Sequence, residues 1–272
     1  SVMAADSYGF EFASYKNGNL YYAWVLYVLP GSPAAEAGLE RGDWIIAVGS
    51  ETPNVTNLSA FYSGSETTFL LADAVRKGNE ITFNKKKTIS VAASRAVEDT
   101  PFLKDSVYTV GDKKVGYLVY NSFSSGPDDE STIYDDQMKQ VFAEFKAENV
   151  SEFVLDLRYN QGGLVTCAQL MTSLLAPADA LGKTFCIMEH NEKQSKNDEA
   201  LLLKKNAEMG NANLDLRRIY VLTGSVTASA SEAVINCLIP YLTRSNIMVI
   251  GEKTIGKRVG SNTFGTREEY DW

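Results

Sequence analysis

Histidine is almost missing from this chain of 272 residues, in which His190 is the single example. A catalytic triad built on histidine would have to use this residue, and geometry rather than residue count defines such a triad. His190 lies in the polar stretch Glu-His-Asn-Glu at residues 189–192, which is typical of a solvated loop. We therefore expect no histidine-based triad.

Cysteine is also scarce, and its three positions are Cys167, Cys186 and Cys237. They form neither a disulfide framework nor the CxxC spacing of a metal site. Cys167 and Cys237 fall in predicted helices, and isolated cysteines are usually buried free thiols. We expect no bound metal and no cofactor, and the cysteine count does not determine the cellular compartment.

Long apolar runs and basic stretches are absent as well. No run approaches the roughly 20 apolar residues that cross a bilayer, and residues 1–6 do not form a signal peptide. We expect that a targeting segment has been removed.

The net charge of the chain is -8, and its basic residues form no stripe. We therefore expect no nucleic-acid partner. With 44% hydrophobic residues, the chain is long enough for one large or two modest domains.

A turn of small residues joins a strand to a helix in the last quarter of the chain. The apolar run at residues 219–222 predicts a buried strand that ends at Gly224, and apolar residues recur at helical spacing from about Ser231. Ser229 therefore lies where a strand turns into a helix, near N–H groups that favour a developing oxyanion. Its hydroxyl is a weak nucleophile until a base removes the proton.

Lysine is the alternative base, provided that it is partly desolvated and can lose its proton. Lys257 follows the predicted strand at residues 247–250, in a glycine-containing turn that can fold back toward Ser229. Lys253 and Arg258 are interpreted as ordinary surface charges. The sequence therefore predicts a serine and a lysine contributed by neighbouring turns.

Two separated motifs carry a resemblance to a known family. They are Thr-Ala-Ser-Ala-Ser-Glu at residues 227–232 and Gly-Glu-Lys-Thr-Ile-Gly-Lys at residues 251–257, which resemble the active-site segments of the C-terminal processing (tail-specific) serine peptidases. The resemblance implies Ser229 as nucleophile and Lys257 as general base. The family often has a glutamine four residues beyond the lysine, where it orients the amine, and this chain has Ser261 there, with a shorter reach.

A third match to the family is Leu-Asp-Leu-Arg-Tyr-Asn-Gln-Gly-Gly at residues 155–163, at the end of a predicted strand. Adjacent glycines let the backbone turn an N–H group inward without a side chain in the way. We expect one arm of an oxyanion hole from Gly162 or Gly163, and the other from the N–H of Ala230. The aspartate and arginine of this segment are expected to form a structural ion pair.

The first third of the chain has a different pattern. Predicted strands at residues 24–28 and 44–48 flank Pro-Gly-Ser-Pro-Ala-Ala-Glu-Ala-Gly-Leu at residues 30–39, which predicts a tight turn and one short helix. This pattern closely resembles the bacterial type of PDZ domain. In such domains a peptide C-terminus adds to the sheet edge as a strand, and its carboxylate binds a nest of backbone N–H groups.

The PDZ resemblance implies which residues bind the peptide tail. It places the carboxylate at Tyr8, Gly9 and Phe10 and a side-chain pocket at Phe12, with plain core packing as the alternative for the phenylalanines. Residues 69–75 are predicted to form a helix beside the groove. The lysines at 85–87 are predicted to form a hairpin tip between strands at 80–83 and 88–92.

Strand and helix alternate in the rest of the chain, which implies a parallel α/β core with right-handed crossovers. The family resemblance makes that core crotonase-like. We therefore expect a small, β-rich, PDZ-like domain at residues 1–97 and a Ser/Lys peptidase core at residues 98–272. The chain stops at Trp272 in what reads as a strand, so we expect its C-terminal end to be incomplete.

The leading hypothesis is a serine endopeptidase that cleaves polypeptides after recognising their free C-terminal tails. The resemblance implies a periplasmic, cell-envelope or extracellular location. One alternative is a catalytically inactive peptide-binding protein that keeps the PDZ groove, with Ser261 marking a decayed site. Another is a hydrolase of non-peptide acyl compounds on the same core.

Overall fold

The computed structural model describes residues 6–78, 80–128, 130–257 and 259–260. The chain forms two compact units. The first runs to Leu103 and includes residues 127–130, and the second contains the rest of the chain from Lys104 onward. The domain boundary expected at residue 97 stays a prediction. Within the described ranges, no helix combines the length and the apolar character that crossing a bilayer requires.

The first unit is built mainly of strands. They are β1 (Asp6–Ser7), β2 (Phe10–Asn17), β3 (Leu20–Val28), β4 (Trp44–Val48), β5 (Thr67–Lys77), β6 (Glu80–Val91) and β7 (Arg95–Ala96). Helix α1 (Pro33–Glu36) follows β3, and a 3-10 helix (Leu58–Phe61) follows β4. Strands β2 to β6 form an antiparallel sheet in chain order, and β1 pairs with β7. Strand β2 is therefore an edge strand in the described part of this sheet.

Aromatic side chains fill the core on one face of this sheet. Side chains two residues apart in a strand share a face, and Phe10 and Phe12 of β2 are accordingly both buried. The Phe12 ring centroid lies 5.2 Å from that of Phe61. The Phe69 ring centroid lies 5.4 Å from that of Tyr8 and 5.7 Å from that of Phe10. Each buried phenylalanine contributes about 1.5–3 kcal/mol, so this cluster holds β2 in register.

Two secondary-structure predictions for the first unit are wrong. Residues 69–75 form part of strand β5 rather than a helix, because Phe69 and Leu71 alternate into the core and pair with both neighbouring strands. A short apolar run fits a buried helix and a buried strand equally well. The lysines at 85–87 lie inside β6, not at a hairpin tip. Lys86 forms an ion pair with Asp43 at 3.5 Å.

The second unit is a mixed α/β unit. Its strands are β8 (Phe102–Val110), β9 (Lys113–Tyr120), β10 (Glu152–Asp156), β11 (Thr184–Met188), β12 (Glu199–Leu202), β13 (Ile219–Thr223) and β14 (Ile247–Gly251). Its helices are α2 (Ile133–Ala147), α3 (Val165–Leu175) and α4 (Ala230–Leu242), with 3-10 helices at Ala178–Ala180, Glu192–Asn197, Asn206–Met209 and Arg244–Asn246.

Four strands of the second unit run parallel. The main sheet has the order β14-β13-β10-β9-β8, and β9, β10, β13 and β14 pair in parallel. Strands β11 and β12 form a separate antiparallel pair. The central strand β10 is apolar over Phe153, Val154 and Leu155, as expected of a strand covered on both faces. The predicted α/β core is therefore present.

The carboxyl ends of the parallel strands place three loops at one edge of the sheet. Asp156, the last residue of β10, pairs with Val119 of β9 and Leu222 of β13, so these strands end level with one another. Thr223 of β13 is likewise level with Gly251 of β14. Loops that follow parallel strands are where ligands bind in open α/β sheets. Three segments therefore share this edge. They are the glycine loop after β10 (residues 157–164), the serine turn after β13 (residues 224–229) and the lysine turn after β14 (residues 252–257).

Candidate active site

Ser229 lies in the sharp turn between β13 and α4. Its backbone has φ 57° and ψ −117°, a conformation that a residue other than glycine holds only when its surroundings enforce it. The Thr227 hydroxyl supplies part of this enforcement, since it donates to Leu157 C=O at 2.7 Å and accepts from Gly224 N–H at 2.9 Å. Ser229 Oγ makes no capping hydrogen bond to α4 within the described residues. Its hydroxyl is therefore available for chemistry.

Gly162 lies directly against this turn. A Cβ atom on Gly162 would be 2.7 Å from Ser229 Cβ and 3.0 Å from Ala230 N, and Gly162 has φ +107°. Both the space and the backbone conformation therefore require glycine. Ala230 is the first residue of α4, where helix N–H groups have no partner within the helix. The structure thus brings together Ser229, Ala230 and the glycine loop.

The two adjacent glycines differ in the use of their N–H groups. Gly162 N–H donates to Asn160 Oδ1 at 2.8 Å. Asn160 is fully buried, and its amide donates to Tyr120 C=O at 2.8 Å. Gly163 N–H has no acceptor among the residues that the structure describes. The donor of Gly162 is therefore already occupied, whereas that of Gly163 is not.

The segment at residues 252–257 folds back beside the serine turn. Ile255 N–H donates to Thr227 C=O at 2.9 Å, and the Thr223 hydroxyl donates to Glu252 C=O at 2.8 Å. These bonds connect the lysine turn to both the start and the middle of the serine turn. Lys257 and Ser229 consequently line the same cavity, as the glycine-containing turn predicts.

This cavity has a volume of about 440 Å³. Its walls are formed by Ser229, Glu232, Ala233, Asn236, Thr254, Gly256 and Lys257. Lys257 is exposed, so the partial desolvation expected of a lysine base is not provided by the described residues. The desolvation of Lys257 therefore stays a prediction.

Glu232 is the site residue that the sequence analysis missed. It is 7% exposed, and its carboxylate accepts hydrogen bonds from both turns: from Ser229 N–H at 2.8 Å and from the Thr254 hydroxyl at 2.7 Å. Burial by itself would raise the pKa of Glu232, but these hydrogen bonds, with those from Gly256 and Lys257, hold it below its ordinary value. The Ser-x-x-Glu spacing of a capping box at residues 229–232 is the sequence signal that points to it.

The ion pair expected in the glycine-loop segment is present. Asp156 is 1% exposed and binds Arg158 through both carboxylate oxygens, at 2.9 and 2.6 Å. The Tyr117 hydroxyl donates to the same carboxylate at 2.8 Å. Burial would raise the pKa of Asp156, and the bonds from Arg158 and Tyr117 lower it. This pair holds the chain where β10 leaves the sheet.

One other candidate, His190, lies apart from the cavity. His190 is in a loop with its Nδ1 atom 3.3 Å from Asp198 Oδ1, and it does not line the Ser229 cavity. Ser261, expected to orient the lysine, lies outside the described residues. The part of the chain that is described contains no group of three metal-ligating side chains, and Cys167, which lies in α3, is a buried free thiol.

The predicted tail-binding residues belong to the first unit. Tyr8, Phe10 and Phe12 pack into its core. Gly9 C=O accepts hydrogen bonds from Leu29 N–H at 2.9 Å and from a serine hydroxyl at 3.1 Å. These contacts fix the loop that precedes β2. The peptide-binding role of the four residues stays a prediction.

Two family profiles match parts of this chain. The family profile described as Peptidase family S41 matches residues 114–269, which is more than half of the chain. The chain belongs to peptidase family S41. A profile described as PDZ domain matches residues 24–67 of this S41 chain, within its first unit. The predicted family and the α/β fold with an N-terminal PDZ-like region are both confirmed.

Individual relatives of this S41 chain extend the comparison. A crystal structure from Bacteroides fragilis NCTC 9343, whose description places it among the S41 proteases, is 35% identical with a TM-score of 0.79 and is matched over 98% of this chain and 69% of that chain. The carboxyl-terminal-processing protease of Picosynechococcus sp. is 28% identical over 88% of this chain. The carboxy-terminal processing protease CtpA of Bacillus subtilis is 29% identical over 91%. The chain spans 52% and 46% of these two curated relatives, about half of their length.

Proposed function

We propose that this chain is a serine peptidase in which Ser229 and Lys257 form the catalytic dyad. One observation carries the proposal: the two residues line a single cavity, and the turns that hold them are hydrogen-bonded to each other. The membership in family S41 and the names of the curated relatives support the same activity. The specific Ser/Lys chemistry and a crotonase-like core are part of the proposal.

The reaction proceeds by acyl transfer. The neutral Lys257 amine takes the proton from Ser229 Oγ as the oxygen attacks the carbonyl carbon of a peptide bond. The protonated lysine then gives that proton to the leaving amine, which leaves an acyl ester on Ser229. Water, deprotonated by the same amine, hydrolyses the ester and regenerates the serine.

Two backbone N–H groups hold the oxyanion in this proposal. Ala230 N–H lies at the start of α4, where the helix dipole favours negative charge. Of the two glycines, Gly163 is the better second donor, because Gly162 N–H is already bound to Asn160. Gly162 instead provides the close approach of the loop to Ser229.

In this scheme the substrate, rather than the described residues, desolvates Lys257. The side chain is exposed, and a polypeptide lying over the cavity would exclude water from the amine. The neutral form of lysine is favoured where the surroundings are apolar. Substrate binding therefore shields the lysine amine from water.

Recognition of free C-terminal tails by the first unit is the second part of the proposal. Strand β2 is an edge strand among the described residues, and it follows the loop at Tyr8 and Gly9. A peptide can therefore add to β2 as a further strand. A fluorescent peptide with a free carboxylate is expected to bind at least tenfold more tightly than its C-terminal amide, as measured by anisotropy. Equal affinities would remove tail recognition from the proposal.

A fluorophosphonate probe tests the nucleophile directly. The probe is expected to form a covalent adduct at Ser229, located by peptide mass spectrometry, and to react faster as the pH rises, because the base must be neutral. The exposed Ser225 of the same turn is the internal control and is expected to remain unmodified. Absence of an adduct at alkaline pH would contradict the assignment of Ser229.

A further inference from the structure

We propose that Glu232 is a positioning residue that holds the serine turn and the lysine turn at a fixed separation. The inference rests on the proposed dyad of Ser229 and Lys257. It adds a third group, which is not itself one of the reacting groups. Glu232 acts on both catalytic residues through their backbone N–H groups.

One carboxylate oxygen binds both catalytic residues. Glu232 Oε2 accepts from Ser229 N–H at 2.8 Å and from Lys257 N–H at 2.9 Å. Since both nitrogens are hydrogen-bonded to the same oxygen, they lie within about 6 Å of each other. The backbone positions of the nucleophile and of the base are therefore set by a single atom. The flexible four-carbon stem of the lysine has only to span the remaining distance to the hydroxyl.

The second oxygen of the same carboxylate fixes the rest of the lysine turn. Glu232 Oε1 accepts from the Thr254 hydroxyl at 2.7 Å and from Gly256 N–H at 2.6 Å. Contacts from residues 254, 256 and 257 thus connect the lysine turn to the first turn of α4. Glu232 itself is 7% exposed and sits in a regular helix, so it provides a rigid attachment point.

The four hydrogen-bond donors that bind the Glu232 carboxylate also explain why this carboxylate does not pair with the lysine amine. A carboxylate offers about four acceptor sites, and four uncharged donors fill them here. Among the described residues Lys257 forms no ion pair with Glu232, only the backbone hydrogen bond. An ammonium held against the carboxylate would be stabilised in its charged form and would be a poor base. Saturation of Glu232 therefore positions the Lys257 backbone while the carboxylate forms no ion pair with the side chain.

Glu232→Gln is the shape-matched test. The amide keeps one acceptor oxygen but turns an NH₂ donor toward N–H donors, so two of the four hydrogen bonds are lost. We expect kcat for polypeptide cleavage to fall about 10- to 100-fold while KM changes less than about threefold, because the groups are misplaced rather than removed. Fluorophosphonate labelling of Ser229 should slow by a similar factor. Glu199→Gln, an exposed glutamate of β12, is the matched control and should match the wild type.

Amide hydrogen exchange separates positioning from general stability. Exchange at Gly256 and Lys257 is expected to accelerate at least tenfold in Glu232→Gln, while amides of β10 and β13 keep wild-type protection. Unchanged kcat and unchanged exchange would overturn the inference. The inference would also be overturned if amide exchange accelerated throughout the second unit and activity fell only in proportion to the unfolded fraction. If the wild type neither cleaves nor labels, the proposed function fails, and acceleration confined to the lysine turn would still support the role of Glu232 in holding that turn.

Discussion

Replacing Ser229 with alanine is expected to reduce kcat for polypeptide cleavage by about 10⁴- to 10⁶-fold, as removal of a nucleophile does in other serine hydrolases. The Ser229 hydroxyl makes no capping hydrogen bond to α4 within the described residues, and the backbone N–H that binds Glu232 is kept. The free energy of unfolding should therefore change by less than about 0.5 kcal/mol. The measurements are gel-based proteolysis of an unfolded substrate and chemical denaturation of the same preparation.

The control for this variant is Ser225→Ala. It makes the same chemical change in the same turn, at an exposed side chain that does not line the cavity. Its activity should equal that of the wild type. Cleavage by Ser229→Ala at the wild-type rate would refute the nucleophile and, with it, the proposed peptidase. Full folding with full loss of cleavage would support both.

Replacing Lys257 with arginine is expected to lower kcat by about 10²- to 10⁴-fold, the range of general-base contributions. Arginine retains the positive charge and the length of the side chain, but it does not give up its proton in proteins. The hydrogen bond from residue 257 to Glu232 uses the backbone N–H, so the substitution leaves the lysine turn attached. The expected loss therefore reports on proton transfer rather than on the position of the turn.

Three further measurements make this prediction specific. Lys257→Ala should be as inactive as Lys257→Arg, since neither side chain can accept the serine proton. Lys253→Arg, in the same turn but outside the cavity lining, should keep wild-type activity. Labelling of Ser229 by the fluorophosphonate probe should be slowed in both Lys257 variants. If Lys257→Arg cleaved as fast as the wild type, the lysine would act through its charge and the dyad would be wrong.

Several parts of the fold follow from local sequence patterns. The strand at Trp44–Val48 has its predicted bounds, and α1 (Pro33–Glu36) forms where Pro-Ala-Ala-Glu follows a capping serine. Helix α4 begins one residue before the predicted start. These elements are predictable because apolar spacing, capping residues and turn residues act over a few neighbouring positions. The strand-turn-helix geometry around Ser229 is likewise predictable from these local patterns.

Other features depend on partners distant in sequence. Residues 69–75 have an apolar composition that suits a helix or a strand, and their pairing with β4 and β6 selects the strand. The N–H of Gly162 is unavailable because Asn160, two residues earlier, is fixed on Tyr120 of another strand. Local sequence patterns predict neither effect, because both arise from contacts with strands distant in sequence.

The sequence by itself predicted the family and the α/β alternation, and it supplied the serine and the lysine of the proposed dyad, because motif spacing and hydrophobic period are local properties of the chain. Within the described residues, the tertiary structure decided which of the two glycine N–H groups is already bound, and it showed that Lys257 is exposed. It also revealed that Glu232 joins the two catalytic turns. The physical reason is that hydrogen-bond partners 25 residues apart become neighbours only when the parallel strands end at the same edge of the sheet.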